Sequence, residues 1–202
     1  MFSIVEAAGW PIWFLVAASV IAVALIAERL VALRAPKIAP AELFNEVVVE
    51  YKHRGISDEL LSRLQAGSPL GRIFAAGLKN IKSPTPVVKE AVEEAGRASV
   101  HELERFLTTI GTIASVSPLL GLFGTIVGMI EIFSAQNSVG NAPVALAHGI
   151  AIALYNTAFG LMVAIPSMIF YRHFRAKIDG LAIEMEQQAI KLIEVIDGAR
   201  RD

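Results

Sequence analysis

Residues 106–130 read FLTTIGTIASVSPLLGLFGTIVGMI, twenty-five positions without Asp, Glu, Lys or Arg. A helix rises 1.5 Å per residue, so about 20 apolar residues cross a hydrocarbon core. This stretch is long enough to span a bilayer. Beyond Glu131 a second uncharged stretch runs for 40 residues, from Ile132 to Tyr171, which is more than one span needs. The polar run Gln136-Asn137-Ser138-Val139-Gly140-Asn141 divides the region. One span is therefore expected at about 106–135 and another at about 142–171, joined as a tight hairpin.

Working outward, Trp10 to Ala27 is an 18-residue apolar run whose only polar side chain is Ser19, and it extends to Leu33. Met1 to Gly9 holds Glu6 and no Lys or Arg, while Arg29, Arg34 and Lys37 follow the run. A cleaved secretory signal has the opposite order, with a basic start and a small-residue cleavage site. The run is expected to be a retained first span. Composition agrees: 54% of the 202 residues are hydrophobic, 18% are charged and the mean hydropathy is +0.57. A soluble bundle with three buried helices would carry polar residues at helical spacing, and the first two spans barely do. The expected fold class is all-α, a three-span helical membrane protein with long helices extending into the cytoplasm.

Charge sets the direction. Of 18 Lys and Arg, 12 lie in 29–105 and 6 in 172–202, with none in the amino-terminal tail or the 136–141 turn. The positive-inside rule puts both basic regions in the cytoplasm and the amino terminus outside. The expected organisation is a tail and first span (1–33), a cytoplasmic helical region leading into the second span (34–105), a channel-lining hairpin (106–171) and a cytoplasmic carboxy-terminal helix (172–202). The net charge of −1 gives no field for nucleic acid, and the absence of Cys excludes disulfides, thiol catalysis and Cys-based metal sites.

Within 34–105, Pro40 is expected to open a helix that Gly55 ends. Ser57 caps the next, with Asp58 and Glu59 in its first turn. Ser68-Pro69 starts a third, ending near Asn80. Thr85 caps a fourth with Pro86 at its first position, and with no strong breaker that helix runs straight into the second span. Gly96 and Gly180 weaken the long helices locally. Past Arg172, Ile178, Leu181, Met185, Leu192, Val195 and Ile196 supply one apolar face. These charges read as a solvated surface. No phosphate loop appears, and His53, His101 and His173 lie far apart in sequence, so neither an enzyme nor a metal or cofactor centre is expected.

In the second span Gly124 and Gly128 form a GxxxG, with Gly121 on the same side, a pattern that lets helices approach closely in lipid. In the third, Gly149, Ala153, Thr157, Gly160 and Ala164 make a small-residue stripe. Thr157 sits near mid-depth and Thr125 in the outer half of its span. A membrane threonine often bonds its own i−4 carbonyl, while the functional reading is a hydroxyl on a polar path. Asn156 at mid-depth needs partners in lipid, and Glu131 near the outer interface is an entrance group or an interfacial charge. No Asp, Glu, Lys or Arg lies at mid-depth in either span. A hydroxyl passes a hydrogen bond but holds no proton near neutral pH. If protons cross, the acid comes from another chain, which the stripe is expected to face as a central partner helix. A scaffold that assembles a partner without conducting uses the same glycine faces.

The run Pro118-Leu119-Leu120-Gly121-Leu122-Phe123-Gly124-Thr125 resembles the second-span motif of the ExbB/TolQ/MotA proton-channel family. Ala153-Leu154-Tyr155-Asn156-Thr157-Ala158-Phe159-Gly160-Leu161, followed by Ala164-Ile165-Pro166, is similar to its third-span motif. The chain is short for the four-span flagellar stator member, so the resemblance favours the ExbB branch, then TolQ. It implies a homopentamer in the bacterial inner membrane around two copies of a single-span, ExbD-like or TolR-like partner carrying a membrane aspartate. Proton-motive force then reaches outer-membrane transport through a TonB-like protein, or the Tol-Pal envelope system. It implies that Thr125 and Thr157 line the pore and hydrogen-bond that aspartate or its water. One departure stands out: where many members read Gly-Ile-Ala-Glu-Ala-Leu, Gly149-Ile150-Ala151-Ile152-Ala153-Leu154 places Ile152, so the family glutamate is not carried over.

Overall fold

The computed structural model describes residues 9–136 and 143–201. Among these residues the secondary structure is helical throughout: α1 Ile12–Ala32, α2 Ala35–Ile38, α3 Leu43–Arg54, α4 Asp58–Ala66, α5 Pro69–Lys79, α6 Thr85–Leu103, α7 Leu107–Gln136 and α8 Pro143–Arg201. The all-α expectation holds. Three helices, α1, α7 and α8, are long and apolar enough to cross a membrane. The tail before Gly9 and residues 137–142 of the polar divide lie outside the described residues.

The chain forms two compact units. The first comprises Met1–Arg29 and Phe106–His173. Its interior is thin: Ile12, Leu15 and Ala22 of α1, Leu107, Ile110 and Ala114 of α7, and Ala153, Val163 and Ala164 of α8. Trp13, Val20, Val23, Leu119, Met162 and Ile169 all stand exposed. No more than 28% of any of the three apolar windows is buried. A water-soluble bundle would not leave so much apolar surface uncovered. At one end of α1 the Arg29 guanidinium bonds Glu28 at 2.6 Å and lies 5.4 Å from the centre of the Phe106 ring, a cation–π distance.

The second unit comprises Leu30–Arg105 and Phe174–Asp202. Its core is conventional, with Leu60, Leu70, Phe74, Phe174, Ile178 and Met185 almost fully buried and Phe44 edge-on to Phe74 at 6.5 Å. Ion pairs link Arg72 to Glu102 at 2.6 Å and Arg175 to Glu104 at 2.7 Å, and Arg63 pairs with Glu50. All involve exposed or half-exposed groups, so each adds little stability. Gly55 ends α3 at φ +68°, where glycine carries no steric penalty. Ser57 Oγ accepts from the Leu60 amide at 3.1 Å, the cap expected for α4, and at the start expected for α5 Ser68 Oγ accepts from the Gly71 amide at 3.2 Å. Ser57→Ala is expected to cost about 1 kcal/mol of stability and to speed amide exchange at Leu60, as loss of an N-cap does; hydrogen exchange on the full chain measures both.

Four expectations need correction. Pro40 does not open α3: its carbonyl accepts from the Leu43 amide in a turn, and the helix starts at Leu43. At α6, Pro84 takes the cap position and Thr85 is already helical, without a side-chain cap bond. The helix from 85 does not run unbroken into the second span. Glu104 closes α6 and Phe106 adopts φ +68°, a left-handed conformation that is a real outlier for a bulky residue. Finally, Val195 is exposed, while Phe174 and Ala189 join Ile178, Leu181, Met185, Leu192 and Ile196 on the buried face of α8. Adjacent residues on a helix point about 100° apart, so Val195 and Ile196 cannot share the centre of one face.

Candidate functional site

Helices α7 and α8 run antiparallel, and glycine makes their seam close. A Cβ built on Gly160 would lie 2.6 Å from the Ser117 carbonyl oxygen and 3.2 Å from Gly121 Cα. One on Gly121 would lie 2.7 Å from the Asn156 carbonyl oxygen and 2.9 Å from Thr157 Cα. Gly128 faces Ala153, Gly149 faces Ile132, and Gly111 lies against the Tyr171 ring. The paired positions are symmetric about residue 140. The small-residue stripe of α8 therefore packs on α7 of the same chain, not on a partner helix as expected. In lipid there is no apolar drive to bring helices together, so backbone-to-backbone contact through glycine supplies the dispersion energy.

Two hydroxyls meet across this seam. Thr125 Oγ1 lies 2.6 Å from Thr157 Oγ1. It also lies 3.2 Å from the Gly121 carbonyl of its own helix and 3.2 Å from the Ala153 carbonyl of α8. Ala153 is one turn before Thr157, so Thr125 reaches the acceptor that Thr157 would use for back-bonding. Thr125 has one proton and donates to one of these acceptors at a time. Both threonines are half-buried, at the edge of the seam. The pair can relay a hydrogen bond but cannot store a charge near neutral pH.

Asn156 lies next to this pair and is fully buried. Its side chain occupies the space above Gly124, where an added Cβ would fall 2.7 Å from Asn156 Cγ and 2.8 Å from its Cβ. Gly124 thus makes the slot that admits an amide into the seam. The sequence suggested packing for Gly124 and polarity for Asn156 but did not join them. The signal was present, because a hairpin centred on the polar divide places 124 opposite 156.

Glu131 is not brought to the threonines. It is six residues beyond Thr125, which turns its side chain about 120° around α7 and lifts it about 9 Å along the axis. It lines a separate pocket of about 130 Å³ with Gly9, Pro11, Gly128, Gly149 and Ile152. The carboxylate of α7 and Ile152 of α8 therefore share one small cavity. Two further polar groups were missed. Ser117 is buried, with no hydrogen-bond partner at its Oγ, and Ser167 is buried, donating to the Val163 carbonyl at 2.7 Å.

Comparison with known proteins bears on this arrangement. The sequence model of the MotA/TolQ/ExbB proton channel family matches residues 65–187. An ExbB-like 3 biopolymer transport protein of Synechocystis is 37% identical over 163 residues, covering 78% of this chain and 77% of the relative. The Tol-Pal system protein TolQ of Pseudomonas aeruginosa is 36% identical over 180 residues, covering 81% and 76%. An ExbB homologue of Methanothermobacter thermautotrophicus is 31% identical over 143 residues, covering 71% and 51%. The matched region contains all of α6 and α7 and both threonines, and on that breadth the chain belongs to the MotA/TolQ/ExbB proton channel family.

Proposed function

We propose that this chain is the proton-channel subunit of an inner-membrane motor, with Thr125 and Thr157 as its proton-handling hydroxyls. The observation that carries the reading is their 2.6 Å contact in spans that hold no acid at mid-depth. A relay without a reservoir needs a titratable group from elsewhere. Family members work with ExbD- or TolR-type partners. The reading adds a single-span partner with a membrane aspartate, enclosed by a homopentamer of this chain, its carboxyl meeting the threonine pair as it gains and loses a proton. The amino terminus is periplasmic, and the regions 34–105 and 172–202, which carry most of the Lys and Arg, are cytoplasmic, in keeping with the charge asymmetry. Asn156 holds the third span in register beside the pair. Glu131 stands apart as an outer carboxylate.

The work done by proton flow reaches outer-membrane transport through a TonB-like protein in this reading. A Tol-Pal role is the second reading, and the near-equal identity to an ExbB-like and a TolQ relative supports keeping it. The test is reconstitution in vesicles with a single-span partner carrying a membrane aspartate. Thr157→Val is expected to lower partner-dependent proton flux at least tenfold while the complex still assembles. Full flux in that variant would sink the hydroxyl's role, and assembly without any partner-dependent flux in the native protein would make the chain a scaffold.

A further inference from the structure

Glu131 and the threonine pair are not in contact, but one cavity borders on both. The cavity of about 130 Å³ is lined by Glu131, which is exposed, and by Ala153, which is buried. Ala153 is also the residue whose carbonyl oxygen lies 3.2 Å from Thr125 Oγ1. The space thus begins at an exposed acid and ends against the hydroxyl contact. Glu131 is about 9 Å along α7 from Thr125. Waters about 2.8 Å apart cross such a gap in roughly three hydrogen bonds. At about 30 Å³ of liquid volume each, the cavity holds that many. An apolar cavity of this size would stay dry, because a buried water needs two or more polar partners. Here the carboxylate supplies one set. Gly9, Gly128 and Gly149 also line the space and place no side chain over their peptide groups. Among the described residues that line the cavity, Glu131 is the sole charged or titratable group; the segment before α1 and the facing turns of α8 contribute none.

We propose that this cavity is a water-filled antechamber of the proton path, with Glu131 as the group that collects protons at its mouth. The assignment rests on reading the threonine pair as proton-handling hydroxyls. A fixed negative charge at the mouth of a narrow space raises the local concentration of cations, hydronium included. The Glu131 carboxylate takes a proton from an outer hydronium, leaving water, and releases it to the water inside. That water passes one proton to Thr125 Oγ1 as the hydroxyl gives up its own toward Thr157, so no net charge stays on either threonine. The acceptor at the end is the carboxylate of the partner. Glu131 therefore serves the pair through water.

The chain has no cysteine, so the full-length protein with its partner, in phosphatidylcholine nanodiscs, accepts a single reporter thiol. Ile152→Cys places it on the cavity wall; Leu154→Cys, two residues on at an exposed apolar position, is the control. Small methanethiosulfonates react with a thiolate, which forms in water and not in hydrocarbon. Ile152→Cys is expected to react about tenfold faster than Leu154→Cys, and faster with the ethylammonium reagent than with the ethylsulfonate one. Adding Glu131→Gln is expected to abolish that charge preference. In vesicles, Glu131→Gln alone is expected to lower partner-dependent flux several-fold, with the loss growing as outer pH rises and protons become scarce, while Glu131→Asp stays near native. Equal labelling at 152 and 154 overturns the hydrated cavity. A charge preference that survives Glu131→Gln, or flux unchanged by it at every pH, overturns the collecting role, and so does a loss of flux seen only when sodium is present. Undiminished flux in Thr157→Val with charge-selective labelling at 152 removes the threonine reading alone; flux that fails in Thr157→Val but ignores Glu131 removes the antechamber alone.

Discussion

Gly160→Leu is expected to separate α7 from α8 and to abolish proton flux. Even the first added carbon would sit 2.6 Å from the Ser117 carbonyl oxygen and 3.2 Å from Gly121 Cα. These are backbone atoms, which no rotamer change can move aside. Gly160→Ala alone is expected to cost about 1–3 kcal/mol, the usual range for overpacking a tight contact, and leucine more. Gly121→Ala meets backbone in the same way, at 2.7 and 2.9 Å, and is expected to rank with Gly160→Ala. Gly128→Ala meets only the Ala153 Cβ at 3.1 Å and its Cα at 3.6 Å, and is expected to cost least. The chain contains no cysteine, so a reporter pair is simple to install. Cysteines replacing Gly128 and Ala153 would start near the 3.5–4.5 Å Cβ separation that a disulfide needs. Crosslinking should be efficient in that background and fall several-fold when Gly160→Leu is added. Undiminished crosslinking would mean that the glycine contact does not hold the seam.

Much of this architecture could be read before any coordinates. The three long helices follow from the length of the uncharged runs, because lipid sets a minimum that few other environments impose. The cap at Ser57 and the helix start at Ser68-Pro69 were legible because helix initiation is local chemistry. The break at Phe106 was not, since no glycine or proline marks it and the left-handed residue is a phenylalanine. The buried face of α8 was read correctly at five positions and missed at Val195, where choosing between adjacent residues needs the identity of the packing neighbour. At the site, both threonines and the glycines could be picked out by residue type and depth. What could not be read was which surface the stripe meets. Small residues permit close approach equally to another chain or to the same one. The register settles it, and the register follows from the centre of the hairpin. A reading that had folded the hairpin about residue 140 would have placed Gly124 on Asn156 and Thr125 on Thr157.

That pairing makes the largest functional expectation a statement about two residues acting as one. In Thr125→Val the methyl group keeps the shape and removes the hydroxyl, so Thr157 loses its 2.6 Å partner. In Thr157→Val the converse holds, and Thr125 falls back on the Gly121 and Ala153 carbonyls at 3.2 Å. A hydrogen bond to a charged group contributes about 1.5–3 kcal/mol, so each single variant is expected to lower partner-dependent flux roughly ten- to hundredfold. If the hydroxyls form a single relay, breaking either end already breaks it. The double variant Thr125→Val with Thr157→Val is then expected to lie within a few-fold of the worse single one. Independent roles would instead multiply the two losses, and a double-mutant cycle separates these outcomes. Thr125→Ser and Thr157→Ser keep the oxygens and are expected to stay within about threefold of native flux. The crosslinking yield at positions 128 and 153 should be unchanged in all five variants, because none adds an atom to the seam. Multiplicative losses with an intact seam would show that the 2.6 Å contact is packing geometry and that each threonine meets its proton alone.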